Sequence, residues 1–401
     1  MSRGERQVPA SEVPTTPAGG VPRPPLGTVL REWGRLGCIG FGGPPTHVAL
    51  LRELCVERER WLTDAEIEDA VAACNLLPGP ASTQLAIFCG WRVRGPAGAV
   101  LGGAAFIVPG LVAIVALAVL FLSGSAPTWV GGAGAGAGAA VPAVAARTGA
   151  TLLAASRVRP ARARGARFWA YLLVGGLGAA TVGPWLVLAL LACGAIEVAA
   201  RRASAGGLGV LLPVHRSLIP ATAAAGGGLL ALGWVALKVG ALSYGGGFVI
   251  VPLMQHDAVS TYHWMTGAQF LEAVALGQVT PGPVVQTVAV VGYAAAGVGG
   301  ALVAAAIAFA PSFAFVLLGA RHFDALRADA RVQGFLAGAG PAAVGAIIGS
   351  AIPLGLALSE PWQALVLAGA AVMLLARRGV VPTLLAAGAV GAVAGLAGAP
   401  L

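Results

Sequence analysis

The chain has 401 residues, 57% of them hydrophobic and only 10% charged, with a mean hydropathy of +0.84, whereas a soluble domain carries about a quarter charged residues. That shortage of charge excludes a water-facing globular surface and predicts an all-α polytopic membrane protein. The formal charge of 25 − 16 = +9 comes largely from arginines clustered in short loops between apolar runs, which is a topology signal, so the expected partner is the lipid bilayer and not nucleic acid.

Residues 1–25 are polar and proline-rich and lack the apolar core of a signal peptide. They predict a disordered cytoplasmic tail on a multi-pass protein of a prokaryotic plasma (inner) membrane. A first broken segment runs from Leu26 to Arg60 and is interrupted at Phe41-Gly42-Gly43-Pro44-Pro45. A second starts at Thr63, with Glu66 in capping-box spacing, runs to Leu77, breaks at Pro78-Gly79-Pro80 and resumes to about Arg92. A span needs about 20 apolar residues, so neither arm crosses a bilayer, and a helical hairpin that enters and returns is predicted. Non-helical backbone at membrane depth is tolerated only where it lines a protein-walled cavity. Stretches such as Pro96 to Leu122, Gly299 to Ala320 and Pro361 to Ala376 run without a charge, and the chain holds many apolar runs that can supply spans. Glycines inside these runs let helices approach closely.

The second half repeats the first. Phe41-Gly42-Gly43 matches Tyr244-Gly245-Gly246 and Pro78-Gly79-Pro80 matches Pro281-Gly282-Pro283, both at a separation of 203 (244 − 41; 281 − 78). The same offset, without a gap, aligns Arg35 with Lys238, Trp61 with Trp264, Asp69 with Glu272, Asn75 with Gln278 and Phe106 with Phe309. Further on the register slips by ten, pairing Trp169 with Trp362. The expected organisation is a first repeat over 26–202, a linker with the start of an extra transmembrane segment over 203–228, and a second repeat over 229–401. Basic loops fall at Arg92 and Arg94, Arg157 to Arg167, and Arg201-Arg202 with Arg216 in one half, but at Arg321 to Arg331 and Arg377-Arg378 in the other. Keeping all of them cytoplasmic turns one half over relative to the other, an inverted repeat of the kind secondary transporters use. The C-terminus is then external.

The matched Pro-Gly-Pro breaks are the sharpest pointer to a site. Proline removes a donor and ends a helix, and the restarting helix presents free N–H groups and a positive dipole end. Ser82, Thr83 and Gln84 lie in that first turn, with Gln286 and Thr287 in the partner repeat. One such break is ordinarily a kink; two at matched positions favour an anion site. The glycine breaks are each preceded by a cation, Arg35 or Lys238, and a charge in an apolar segment is by default a functional hypothesis, against the alternative of snorkelling to the interface. Asp69 and Glu272 are equally open to proton relay or to the role of ordinary first-turn acids. Arg52 and Glu53 belong to a charged face, with a gate as the alternative. The cysteines Cys38, Cys55, Cys74, Cys89 and Cys193 show no CxxC pair, so packing is expected, with no metal site and no cofactor.

The pattern FGGPP…RE…W-L-T…LLPGP-x-S-T-Q-L-A, followed by K-V-G-A-L-S-Y-G-G-G…V-T-P-G-P-V-V, resembles the chromate transporter family in its long, two-domain form, over nearly the whole chain after residue 25. The resemblance implies export of chromate, a tetrahedral dianion like sulfate, coupled to the proton gradient. It carries family motif positions onto Gly42, Gly43, Pro44, Arg52, Glu53, Asn75, Pro78, Gly79, Pro80 and Gln84, and onto Lys238, Gly245, Gly246, Gly247, Pro281, Gly282 and Pro283. Tyr244 departs from the phenylalanine common there. The alternatives are a passive oxyanion channel, a carrier of another anion, or a membrane enzyme. An enzyme is not expected, because the chain has no HExxH, GxSxG or P-loop. A homodimer is compatible with all of these readings.

Overall fold

The structure, a computed structural model, describes residues 23–74, 79–122, 126–156, 165–181, 185–204, 228–243, 247–319 and 328–400. Most of the expected N-terminal tail, residues 1–22, and most of the 203–228 linker lie outside them. Among the described residues every regular element is helical. The first half contains α1 (Leu26–Ile39), α2 (Pro44–Arg52), α3 (Asp64–Cys74), α4 (Ala81–Leu122), α5 (Thr128–Ser156), α6 (Ala166–Thr181) and α7 (Leu186–Ser204). The second contains α8 (Leu229–Leu242), α9 (Val251–Gln255), α10 (Gly267–Val279), α11 (Thr287–Gly319), α12 (Ala330–Leu356), α13 (Pro361–Leu375) and α14 (Val380–Leu396).

Local geometry repeats along with the sequence. Helices α2 and α9 both run on into a π-helical turn, Glu53–Arg58 and His256–Thr261, 203 positions apart (256 − 53). Arg60 and His263, again 203 apart (263 − 60), close these turns in the left-handed region, at φ 53° and 51°. The predicted capping box of α3 forms, Glu66 accepting from the Thr63 amide at 2.9 Å, and Thr266 with Gln269 repeats it at the start of α10.

A further reversal follows at the basic loop that ends the second segment. Helix α4 reverses at Arg94 and Gly95, where Gly95 takes φ 65° and ψ −156°, and α11 reverses at Ala296 and Gly297, where Gly297 takes φ 62° and ψ −157°. A side chain at such a φ is strained, so glycine makes the reversal cheap. The two arms then press together: a Cβ on Gly90 would lie 2.4 Å from the Gly98 carbonyl oxygen, and one on Gly292 would lie 2.5 Å from that of Gly300.

These reversals correct the ungapped alignment. They are 202 positions apart (297 − 95), so the register steps back by one after the Pro-Gly-Pro breaks. Gly37 packs on the Phe106 carbonyl, while its counterpart Gly240 packs on that of Ala308; Phe106 therefore corresponds to Ala308 and not to Phe309. The cause lies at the helix starts. Helix α4 begins directly at Ala81, whereas a 3₁₀ turn, Val284–Gln286, precedes α11. A 3₁₀ turn rises about 2.0 Å per residue against about 1.5 Å in an α-helix, so three residues there cover the length of four here.

Among the described residues four helices, α4, α5, α11 with its preceding turn, and α12, are long and apolar enough to cross a membrane. The halves interlock. Helix α5 packs on α13 and α14 of the second half, and α12 packs on α6 and α7 of the first. Glycine permits both contacts: a Cβ on Gly136 would lie 2.3 Å from the Ala387 oxygen, and one on Gly345 would lie 1.9 Å from the Leu172 oxygen.

Candidate functional site

The breaks in the first half open onto a cavity of about 460 Å³, within the range of small-molecule sites, about 300–1,000 Å³. Gly42, Gly43, Pro44 and Pro45 from the glycine break form one wall, and Ala81 and Ser82 at the start of α4 another. Helix α5 adds Arg147, Thr148 and Thr151, and the second half adds Phe248, Gln278, Val284 and Arg378. The cavity therefore lies between the repeats. Pro45, Arg147 and Arg378 are exposed and mark its mouth, while Cys74, Ser82, Leu85 and Phe248 are buried and form its floor.

Two features make this cavity suited to an anion. Arg147 and Arg378 line it with no acidic residue or histidine among the lining residues, and neither guanidinium makes an ion pair with a described residue. Hydrogen-bond donors on the floor are also unpaired. The Pro80 carbonyl accepts from Thr83 and Gln84 at 2.9 and 3.0 Å, which leaves the Ala81 and Ser82 amides without a backbone acceptor among the described residues. Ser82, 3% exposed, has no hydrogen bond to a described residue, and the buried Nε2 of Gln278 has none either. A helix start with its positive dipole end and two idle donors can hold an oxyanion.

The predicted residues divide. Gly42, Gly43, Pro44 and Ser82 line the cavity. Thr83 and Gln84 are fully buried beside it, and Gly79, at φ 119°, leaves space that the Gln84 side chain and Ser312 occupy. Asn75, Pro78, Tyr244, Gly245 and Gly246 lie outside the described residues. Gly247, at φ 91°, caps the short turn that carries Phe248 into the cavity.

The second Pro-Gly-Pro break is a joint between the halves. Pro281, Gly282 and Pro283 are not among the lining residues. The Gly282 amide donates to the Gly40 carbonyl at 2.9 Å, the His47 Nε2 lies 2.9 Å from that same oxygen, and Gln286 donates from Nε2 to the Ile107 carbonyl at 2.8 Å. Gln286 and Thr287 thus hold structure here and do not face the cavity.

The matched cations do not meet there. Lys238 is ion-paired with Asp257, Nζ to Oδ2 at 2.5 Å, and lies over the Trp234 ring. This corrects the picture of a lone charge on an apolar helix: the carboxylate comes from the π-helical turn. Arg35 is exposed and does not line the cavity. In the first half the equivalent strap has its charges exchanged, Glu32 on α1 pairing with Arg58 on the turn. Arg52 bonds Asp64 at 2.8 Å and Glu68 at 3.1 Å in an exposed network, and Glu53 is exposed on the π-helical turn. Asp69 is exposed, whereas Glu272 is half-buried against Gly134 of α5.

Sequence reasoning passed over Arg147 and Gln278 as site residues and counted Arg378 only as a loop charge. The missed signal at Arg147 was a charge inside an apolar helical run, concealed by the nearby basic loop.

A duplicated helical membrane protein with broken helices around a cation-lined cavity defines the class of a membrane transporter. The chain belongs to the Chromate transporter family, which it matches over residues 27–198 and again over 230–396. It is 34% identical over 358 residues to a chromate transport protein of Cupriavidus metallidurans, covering 85% of this chain and 86% of that one. A chromate transport protein of Pseudomonas aeruginosa is 30% identical over 346 residues, 81% of this chain and 80% of the relative. An uncharacterized transporter of Methanocaldococcus jannaschii is 26% identical over 309 residues, 73% and 75% of the two chains. No solved structure matches. The chain is accordingly a transport protein and not an enzyme.

Proposed function

We propose that this protein is a secondary active transporter that exports chromate, with sulfate-like oxyanions as further cargo, across a prokaryotic plasma membrane at the expense of the proton gradient. The observation that carries this reading is the cavity between the halves, whose charged lining residues are Arg147 and Arg378. The halves work as an inverted repeat, with basic loops inside and the C-terminus outside. Arg377-Arg378 is one of those loops, so the cavity loads from the cytoplasm. Glu272, held against α5, is the candidate proton carrier, and Asp69 its counterpart in the first half.

One observation favours a second reading, passive export. Among the described residues no carboxylate or histidine lines the cavity to exchange a proton with the ion. Energetically the passive route suffices. Moving one charge through 100 mV is worth about 2.3 kcal/mol, so an inside-negative potential drives a dianion outward with about 4.6 kcal/mol per 100 mV.

Everted membrane vesicles distinguish the readings. Energised vesicles holding the protein should accumulate labelled chromate. Collapse of the pH gradient alone should weaken a proton-coupled carrier and leave a passive path unchanged, whereas collapse of the potential alone should stop the passive path and leave a coupled carrier the drive of the pH gradient. No accumulation under either condition, with the protein present in the membrane, would refute chromate export.

A further inference from the structure

We infer that Arg147 and Arg378 are the charge-selecting residues of the cavity and that Ser82 and Gln278, with the first amides of α4, complete a seat for a doubly charged tetrahedral oxyanion. The inference rests on the proposed transport function and names the residues that set its substrate class.

The charges come first. Arg147 sits inside α5, far from either helix end, and Arg378 follows α13; both side chains border one cavity without a counter-charge among the described residues. Helix α12, which stands in the second half where α5 stands in the first, carries no charged residue after Arg331. The second half has a groove beside its own broken segment, and that groove is lined almost wholly by apolar residues such as Leu242, Ile250 and Phe335. Arg331 also borders that groove, so one scaffold carries two cations at its cavity and the other carries one.

The donors come second. Ser82 and the Gln278 Nε2 are polar groups in the cavity wall with no partner among the described residues, and a buried donor left idle is costly. They come from opposite halves, so an oxyanion bound between them bridges the repeats. A tetrahedral oxyanion accepts at four separated oxygen atoms and so can bridge donors on opposite walls, whereas a halide needs its donors to converge on one atom.

The ordinary alternative is that both arginines reach for lipid headgroups. The two accounts differ in how the effect scales with ligand charge. Coulomb energy is linear in the charge of the ion. Removing one cation should therefore weaken a dianion by the square of the factor that it weakens a monoanion of the same shape: about tenfold for sulfate or chromate against about threefold for perchlorate.

The test is equilibrium dialysis of labelled sulfate against the purified full chain in detergent, with unlabelled chromate and perchlorate as competitors. Arg147→Gln and Arg378→Gln should each weaken sulfate and chromate about tenfold and perchlorate about threefold, while Arg147→Lys should recover most of the loss. Ser82→Ala should weaken all three ions to a similar degree. Parental affinities in both arginine variants, or equal losses for dianion and monoanion, would overturn the inference. If an arginine variant is recovered in poor yield, salt dependence on the parental protein decides the matter instead, because a charge-selecting pair makes sulfate binding fall more steeply with ionic strength than perchlorate binding; equal slopes would overturn the inference. Failure of chromate transport in vesicles alongside the expected binding pattern would refute the transport function alone.

Discussion

The pair of Lys238 and Asp257 allows a quantitative test of what a cation does in an apolar helix. Lys238→Met keeps the stem and removes the ammonium, which leaves the Asp257 carboxylate, 5% exposed, without its partner. Breaking a buried pair from one side costs about 3–5 kcal/mol. The lysine side chain is 19% exposed, so the low end applies, about 3 kcal/mol. Asp257→Leu should cost less, since the freed lysine can extend to water. The double variant Lys238→Met/Asp257→Leu removes both charges and should return to within about 1 kcal/mol of the parent. Thermal unfolding of the purified protein reads this directly, as a drop of several degrees for Lys238→Met that the second substitution largely reverses. Transport by the restored double variant then decides the role of the lysine. Parental chromate export means the pair is a strap between α8 and the π-helical turn; lost export in a stable protein means Lys238 acts on the ion. An unchanged melting temperature in Lys238→Met alone would refute the buried-pair argument.

Gly136→Leu, which drives a side chain into the Ala387 carbonyl, should abolish recovery of folded protein, whereas Gly95→Ala, with open space but φ 65° and ψ −156°, should cost about 1–3 kcal/mol and keep export; size-exclusion profiles of the two variants check this. Reporter fusions after Arg167 and Arg331 should both register cytoplasm and one at the C-terminus the external side, and a cytoplasmic C-terminal reporter would sink the inverted arrangement. Glu272→Gln should uncouple export from the pH gradient while leaving sulfate binding intact, measured in everted vesicles and by dialysis; unchanged coupling would exclude Glu272 as the proton carrier.

Much of the backbone was legible in the sequence because glycine, proline and capping residues act locally. The break at Gly42-Gly43-Pro44, the loop at Arg92 and Arg94 and the Thr63–Glu66 cap each depend on a few neighbouring residues, and each occurs in the structure. The one-residue step after the Pro-Gly-Pro breaks was not legible, because Phe106 and Phe309 match by identity while the difference lies in helix type. The partner of Lys238 was not legible either. Asp257 stands where the first half has Leu54, so comparing the halves hides it. Arg147 was missed for a related reason. Repeat matching rewards what the halves share, and Arg147 has no charged equivalent in α12.

Scaffold and site divide along that same line. The features common to both halves, the π-helical turns, the capping boxes, the reversals at Gly95 and Gly297 and the glycine contacts of α5 and α12, are backbone features that permit close packing. They build two equivalent frames that grip each other. The features that differ are charged side chains. The strap pairs Glu32 with Arg58 in one half and Lys238 with Asp257 in the other, so each frame remains locally neutral at its strap with the charges exchanged. The cavity breaks that balance, since Arg147 and Arg378 line it with no acid among the described lining residues. Two cations at the mouth, with no acid beside them among the described residues, draw an anion toward the cavity. The duplicated backbone thus accounts for the opening between the halves, and the divergence of a few side chains accounts for the sign of what enters it.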